Sequence, residues 1–527
     1  METVASAILG DLISRSVSFA LDRCCNRWRK AGSIEDAPQQ LRRVLLRLQA
    51  VVEEGDRRRV TNQAMLRQLQ LMREGVYRGY YLLSAIKRQG VPEVSSLRDR
   101  SSLASSLFNP AKRLCTVSAR TTPASTAPED TGRGREGEAK AKAELQEVLT
   151  GLERMASDMK ELVVFLSCYP PARREPYSGH LWLENRMFGR EAEQEKIISF
   201  LLGPEPVGVD GPGVLPVIGR PRVGKSTLVE HVCLDERVRG HFSLIVFFSQ
   251  GDIEDGKLSS SSPHLEDNGR IKHKHRDLDP AGKSLVVIEL AGDVDEQTWW
   301  GRTLSALRGR RTTPVSKIIV TSRSEKIASF GTTQALELKS LPREAYWYFF
   351  KTIAFGSMGA EDQPELASVC MEMADLLNRC FISANLFGCL LRANPCYQFW
   401  QRVLNGNRQY IRMHFLRFGD HPCDLLLMNG RPIYLWRLPK TDTVVTAYHT
   451  YQTCSSQEHD VPKITLNELQ VGSARPRGKF EVVAWKSRIP PYYSYVLSCR
   501  VQTLSSFLRV PPMNKQIQHR QPRLNSV

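Results

Sequence analysis

VIGRPRVGKSTLVEHV, residues 217–232, is the stretch on which the fold turns. Gly219 is followed by four residues and then by Gly224, Lys225 and Ser226, which is the spacing of a phosphate loop. The loop follows an apolar run, GVLPVIG, and leads into LVEHVC, which continues as a helix. Strand before and helix after is the context that gives the pattern its meaning. Phosphates carry charge that must be met when they leave water, and loop amides with a helix N-terminus meet part of it. Lys225 is placed to reach the outer phosphates and Ser226 to offer its hydroxyl to Mg²⁺.

Working outward, HFSLIVFFS (241–249), KSLVVIEL (283–290) and SKIIVTSR (316–323) are near-continuous apolar runs separated by helical or polar sequence. Such runs predict a parallel sheet covered on both faces. The fold class expected over 181–340 is therefore an α/β P-loop NTPase domain. Residues 251–283 read as a polar loop. His264, His273, His275, Asp277 and Asp279 lie in it without an apolar frame, so they read as solvated rather than metal-binding. No serine, cysteine or histidine sits in a nucleophile motif.

Upstream, 1–168 reads as a helical bundle. Val4, Ile8, Leu12, Val17 and Leu21 repeat at near-helical spacing. Leu41, Val44, Leu45, Leu48, Val51 and Val52 form a cleaner stripe, as do Leu66, Leu69, Met72, Val76, Tyr80 and Leu83. Residues 93–136 are rich in Ser, Thr, Pro and Gly and read as a disordered insertion. Helical periodicity returns at Leu145 and runs to Leu166. Residues 169–180 read as a linker, 341–420 as a helical subdomain, 421–510 as a β-rich segment and 511–527 as a disordered basic tail. Within the β-rich segment PIYLWRL, TVVTAYHTYQTC, KITLNEL, KFEVVAWK and YYSYVLSCRV carry the strand signals.

The net charge of +17 over 527 residues is spread along the chain, so no nucleic-acid partner is expected. The 12 cysteines form no CxxC pair and fit a reducing compartment. Asp11 and Arg15 interrupt the first apolar run, so no signal peptide is read. No run is long enough to span a membrane. These features point to the cytoplasm, with the nucleus as a second location.

Four segments, FGREAEQEKIISFLL (188–202), 217–244, SKIIVTSRSEKIASFG (316–331) and LKSLPREAYWYFFKTIAFG (338–356), follow the order and spacing of the NB-ARC module. The chain resembles plant disease-resistance proteins of the coiled-coil class over roughly 1–410, with 1–168 similar to their Rx-type N domain. No leucine-rich repeat is read. The resemblance implies an ADP- or ATP-binding switch in plant defence. It implies Phe188, Gly189 and Arg190 at adenine and ribose, Gly219, Val223, Gly224, Lys225, Ser226 and Thr227 at the phosphates, and Arg323 as sensor of the outer phosphate. Protein partners through the helical bundle, and self-association, are implied as well.

The departures bear on chemistry. Pro221 removes one loop amide, and Arg222 is expected to face solvent. Pro216 sits in the strand before the loop, where a ladder amide is lost. Where the family ends its metal-binding strand with two aspartates, this chain has Glu289 and Leu290. Glu289 can serve the metal with Ser226, but the second acid is missing. Positioning of the attacking water is worth about 10²–10⁴-fold, so binding is expected to outlast hydrolysis. NRCFISANLFG (378–388) lacks the family's proline. RMHF (412–415) does not reproduce the Met-His-Asp element, and EGVYRGYY (74–81) has lost the N-terminal acidic motif. Two other readings stay open: an active NTPase using Glu289 or Asp293, and a nucleotide-free scaffold acting through its bundle.

Overall fold

In a computed structural model, the residues described are 37–89, 132–170, 187–204, 211–254, 270–274, 282–290, 296–308, 315–360, 362–428, 432–437, 443–454, 464–471, 474–487 and 493–503. The first apolar repeat (Val4–Leu21), residues 93–131 of the expected insertion, most of the linker and the basic tail lie outside them.

The apolar runs around the phosphate loop become strands β1 (Gly213–Ile218), β2 (Leu244–Ser249), β4 (Ser284–Glu289) and β5 (Val315–Ser322), with β6 (Leu336–Glu337) at one edge. These five are parallel. β3 (Arg270–Lys274) runs antiparallel to β2 at the other edge, giving the order β3-β2-β4-β5-β1-β6. Successive strand residues point to opposite faces. Leu215, Val217, Ile245, Phe247, Leu285, Val287 and Ile319 pack under the helices 191–202 and 225–233. Val214, Ile218, Val246, Phe248, Val286, Ile288 and Val320 pack with Trp300, Leu307 and Phe330 on the other face. Burial on both faces is why the strands read as continuous apolar runs.

Two corrections follow at the edges. β3 falls inside the stretch read as a polar loop, and His273 pairs with Ile245 on it. An edge strand has one ladder partner, so polar sequence suffices to form it. Pro216 is tolerated because of strand alternation. Two residues earlier, the Val214 amide and carbonyl bond Thr332. The missing Pro216 amide faces the same side, where β6 has not begun: its pairing starts at Val217.

Upstream, α1 (Ala37–Asp56), α2 (Gln63–Gln89) and α3 (Gly132–Ser167) bury the expected stripes, including Leu41, Leu45, Leu48, Met72, Leu149 and Leu166, in one core. α3 begins at Gly132, inside the stretch read as insertion. Beyond the glycines at 132, 134 and 137, the Glu-, Ala- and Lys-rich turns EAKAKAEL (138–145) are strong helix formers despite their polarity. The bundle meets the later helices through aromatic rings. Tyr81 is edge-on to Trp347 at 5.5 Å, and Tyr77 stacks on Tyr348 at 4.5 Å. Arg73 donates to Asp56 (2.7 Å) and Glu191 (3.0 Å), joining the bundle to the first helix of the α/β domain.

After residue 340 come four helices, 343–355, 364–376, 381–393 and 397–418. They share a core that includes Trp347, Phe350, Met373 and Trp400. A separate antiparallel sheet follows, ordered β7-β8-β10-β9. Its strands are β7 (Ile433–Arg437), β8 (Thr443–Cys454), β9 (Lys479–Lys486) and β10 (Tyr493–Thr503). The stretch read as wholly β-rich also holds two helices, Pro422–Met428 and Leu466–Val471. The second replaces the strand expected in KITLNEL. Thr465 accounts for it: its hydroxyl meets the Glu468 carboxylate at 2.8 Å and accepts from the Glu468 amide, a reciprocal helix cap.

Candidate nucleotide site

The loop between β1 and the helix Lys225–Cys233 carries the site. Two glycines shape it. At Gly219 a Cβ would lie 2.5 Å from the Leu338 carbonyl oxygen, so only glycine lets the loop pass β6. Gly224 takes φ 97°, in the left-handed region, immediately before the helix. Because the helix begins at Lys225, the amides of Lys225, Ser226 and Thr227 have no helical carbonyl one turn before them, whereas the Leu228 amide bonds the Gly224 carbonyl. This cradle of close backbone and helix N-terminus fits phosphate oxygens.

Lys225 Nζ donates to the carbonyls of Gly219 (2.7 Å) and Arg220 (3.0 Å), folded across the mouth of the loop. Burial and the neighbouring Arg323 press its pKa down to about 8, with Glu289 acting in the opposite direction. The structure thus brings Lys225, Glu289 and Arg323 into one electrostatic cluster. Glu289 ends β4, level with Ser249 on one side and Thr321 on the other. Arg323 is exposed just past the end of β5. Leu290 is 6% exposed and belongs to the core with Trp300 and Phe330, so the second acidic position is occupied by apolar packing. Asp293 and Asp295 lie outside the described residues. Of the two side chains expected to serve Mg²⁺, Ser226 lies in the first turn of the helix after the loop and Glu289 ends β4. Magnesium keeps waters and takes phosphate oxygens, so two protein ligands fit its habit. Among the described residues, no group of three or more acidic, histidine or cysteine side chains forms a separate metal site.

Phe188, Gly189 and Arg190 lead into the helix 191–202. Phe188 is buried against Tyr77 (5.4 Å) and Phe349 (5.3 Å), so its ring serves the junction with the bundle. Gly189 has φ 65°, which turns the chain sharply. Arg190 is buried, donating to Glu193 (3.1 Å) and to the Lys339 carbonyl. Burial lowers its pKa, with Glu193 and Glu191 opposing. What this segment offers a ligand is backbone next to Leu341 and Lys339.

Arg222 corrects an expectation. It does not face solvent. It is half-buried with φ 58° and donates to the Thr450 hydroxyl at 2.6 Å, on β8 of the C-terminal sheet. Burial lowers its pKa. The same sheet bonds the helix behind the loop: Tyr493 donates to Glu230, which is 2% exposed, and the Tyr495 hydroxyl bonds the Thr227 side chain. Arg220 faces Asp424 at 3.8 Å. These partners were missed in sequence because they come from 200 or more positions away, with no spacing rule to connect them.

Residues 190–359 match the NB-ARC domain family. The disease resistance protein RGA4 of Solanum bulbocastanum is 28% identical over 236 residues, covering 43% of this chain and 23% of its own length. RGA2 of the same species is 27% identical over 242 residues, covering 44% and 24%. The disease resistance RPP13-like protein 1 of Arabidopsis thaliana is 24% identical over 276 residues, covering 50% and 26%. The chain therefore spans about a quarter of the length of the relatives it matches. Phosphate loop, parallel sheet and matched sequence agree: the chain carries an NB-ARC domain with the P-loop NTPase fold, similar over that stretch to plant disease resistance proteins.

Proposed function

We propose that this protein is an ADP- or ATP-binding switch of plant defence that holds its nucleotide far longer than it hydrolyses it. The observation that carries the reading is the pairing of the phosphate-loop lysine with an apolar residue directly after Glu289 at the end of β4. Lys225 lies in the loop mouth beside Glu289 and Arg323, while Leu290 is packed into the core. Mg²⁺ supplies neutralising charge to the phosphates when bound. Lys225 and the amides of Gly224 to Thr227 hold the outer phosphates, Ser226 and Glu289 take the metal, and Arg323 faces the terminal phosphate. Backbone at Gly189 and Arg190 lines the adenosine side. Leu290 takes the place of the second carboxylate that would orient water, which removes a contribution of about 10²–10⁴-fold.

In this reading the bound phosphate count biases the packing of the NB-ARC domain against the helices and sheet that follow it. The helical bundle provides protein contacts, with a partner or a second copy, and the protein works in the cytoplasm. The test is the nucleotide that co-purifies. Denatured protein should release ADP or ATP on chromatography, and added nucleotide should raise the melting temperature of wild type but not of Lys225→Ala. No released nucleotide together with equal melting shifts would leave the scaffold reading in its place.

A further inference from the structure

Cys380 and Cys423 meet at the rim of the phosphate loop. Cys380 caps the N-terminus of the helix 381–393, and Cys423 sits in the first turn of the helix 422–428. Their thiols are in hydrogen-bonding contact, and Cys423 Sγ lies 3.7 Å from the Ser383 hydroxyl. Both line one open cleft with Arg220, Arg222, Val223 and Phe381. Both residues are half-buried and form part of the wall of that cleft. The Arg222 guanidinium lies in the field of both sulfurs.

We propose that Cys380 and Cys423 are a peroxide-sensitive dithiol that closes to a disulfide beside the phosphate loop. Cys380 is the attacking sulfur. Hydrogen bonding from Cys423 pulls the Cys380 thiol below its ordinary range against the cost of burial, with help from the Ser383 hydroxyl and amide and from Arg222, and Cys423 is pushed up in turn. The Cys380 thiolate attacks one oxygen of hydrogen peroxide. The O–O bond breaks, leaving a sulfenic acid and hydroxide. Cys423 sulfur then attacks the Cys380 sulfur, the S–O bond breaks and its OH leaves as water with the Cys423 proton, while the proton that Cys380 gave up on ionising neutralises the hydroxide. Two thiols give two electrons to the peroxide, and two waters form.

The other cysteines provide internal controls. Cys370 and Cys499 are buried and pushed up to about 12 by that burial, so they are poor nucleophiles. Cys168 and Cys396 are exposed, so they report oxidation that needs only access. The bond would tie the turn at Asn378 to a helix whose Asp424 already bonds Asn378 at 2.9 Å and faces Arg220. It would also remove the negative sulfur that faces Arg222.

The experiment uses the full chain with sub-millimolar hydrogen peroxide, quenched with an alkylating agent, and peptide mapping by mass spectrometry. No nucleotide readout is needed, so its failure is separate from failure of the function proposed above. A Cys380–Cys423 linked peptide is expected before oxidation of Cys168 or Cys396. At pH 7 without peroxide, Cys380 should alkylate about tenfold faster than Cys396. Cys423→Ser should stop the link and leave a Cys380 sulfenic acid that dimedone captures. Earlier oxidation of Cys168 or Cys396, or oxidation of Cys380 in wild type without linkage to Cys423, would overturn the proposal. The wild-type map decides the matter even if the variant fails to fold.

Discussion

At the scale of single residues, Lys225 makes the sharpest prediction. Its pKa is held near 8 by burial and Arg323. A bound phosphate adds negative charge next to the ammonium and raises that value. Above about pH 8 the free protein must take up a proton to bind, so nucleotide affinity should fall as pH rises through that value, by up to tenfold per unit. Below about pH 7 the lysine is charged in both states and affinity should be flat. Titration calorimetry from pH 6.5 to 9.5, in buffers of different ionisation enthalpy, would show both the slope and the proton uptake. The loop that carries Lys225 and Ser226 and the strand end before Leu290 were legible in sequence because both are local patterns. Arg222 was not. Its position is set by Thr450, which is distant in sequence. An arginine at φ 58° is uncommon and is held there by the contact it makes. Arg222→Gly should therefore lower the melting temperature less than Arg222→Ala, although both lose the bond to Thr450, because glycine relieves the left-handed backbone.

At the scale of elements, the clearest lesson is in the strands. The four apolar strands were readable because burial on both faces demands continuous hydrophobicity. β3 and β6 were not, because edge and two-residue strands need little apolar sequence to pair. The helix Leu466–Val471 was hidden for a different reason: β-branched residues at its entrance look like strand, while the cap between Thr465 and Glu468 decides for helix. β10 joins the C-terminal sheet to the phosphate-loop helix through Tyr493 and Glu230, both buried. Removing that hydroxyl takes one partner from a buried carboxylate, which costs about 1–3 kcal/mol. Tyr493→Phe should lower the denaturant midpoint accordingly. Limited proteolysis should find the 443–503 region cut faster in the variant, whereas an unchanged cleavage pattern would mean that the sheet is held by other contacts.

At the scale of the molecule, the NB-ARC domain is bonded both by the helical bundle and by the C-terminal sheet. The bundle reaches the NB-ARC domain through Arg73, whose guanidinium bridges Asp56 and Glu191. Burial works against its charged form, but Glu191 and Asp56 outweigh burial and hold its pKa above the usual range. Arg73→Met leaves two carboxylates facing each other and should cost about 3 kcal/mol. The loss should be read as an earlier transition of the bundle in chemical denaturation. Tyr77 and Phe188 carry the same junction into the segment ahead of the first domain helix, so nucleotide-side changes at Gly189 have a packed route to the bundle. The central claim is that the chain grips a nucleotide and barely hydrolyses it. The most direct test loads the full chain with Mg²⁺ and ATP labelled on the γ-phosphate, then follows retained nucleotide and released phosphate through one turnover. About one nucleotide per chain should be retained in wild type and none in Lys225→Ala, with phosphate release no faster than in Glu289→Gln. Rapid release in wild type that Glu289→Gln abolishes, or no retained nucleotide at all, would contradict the account.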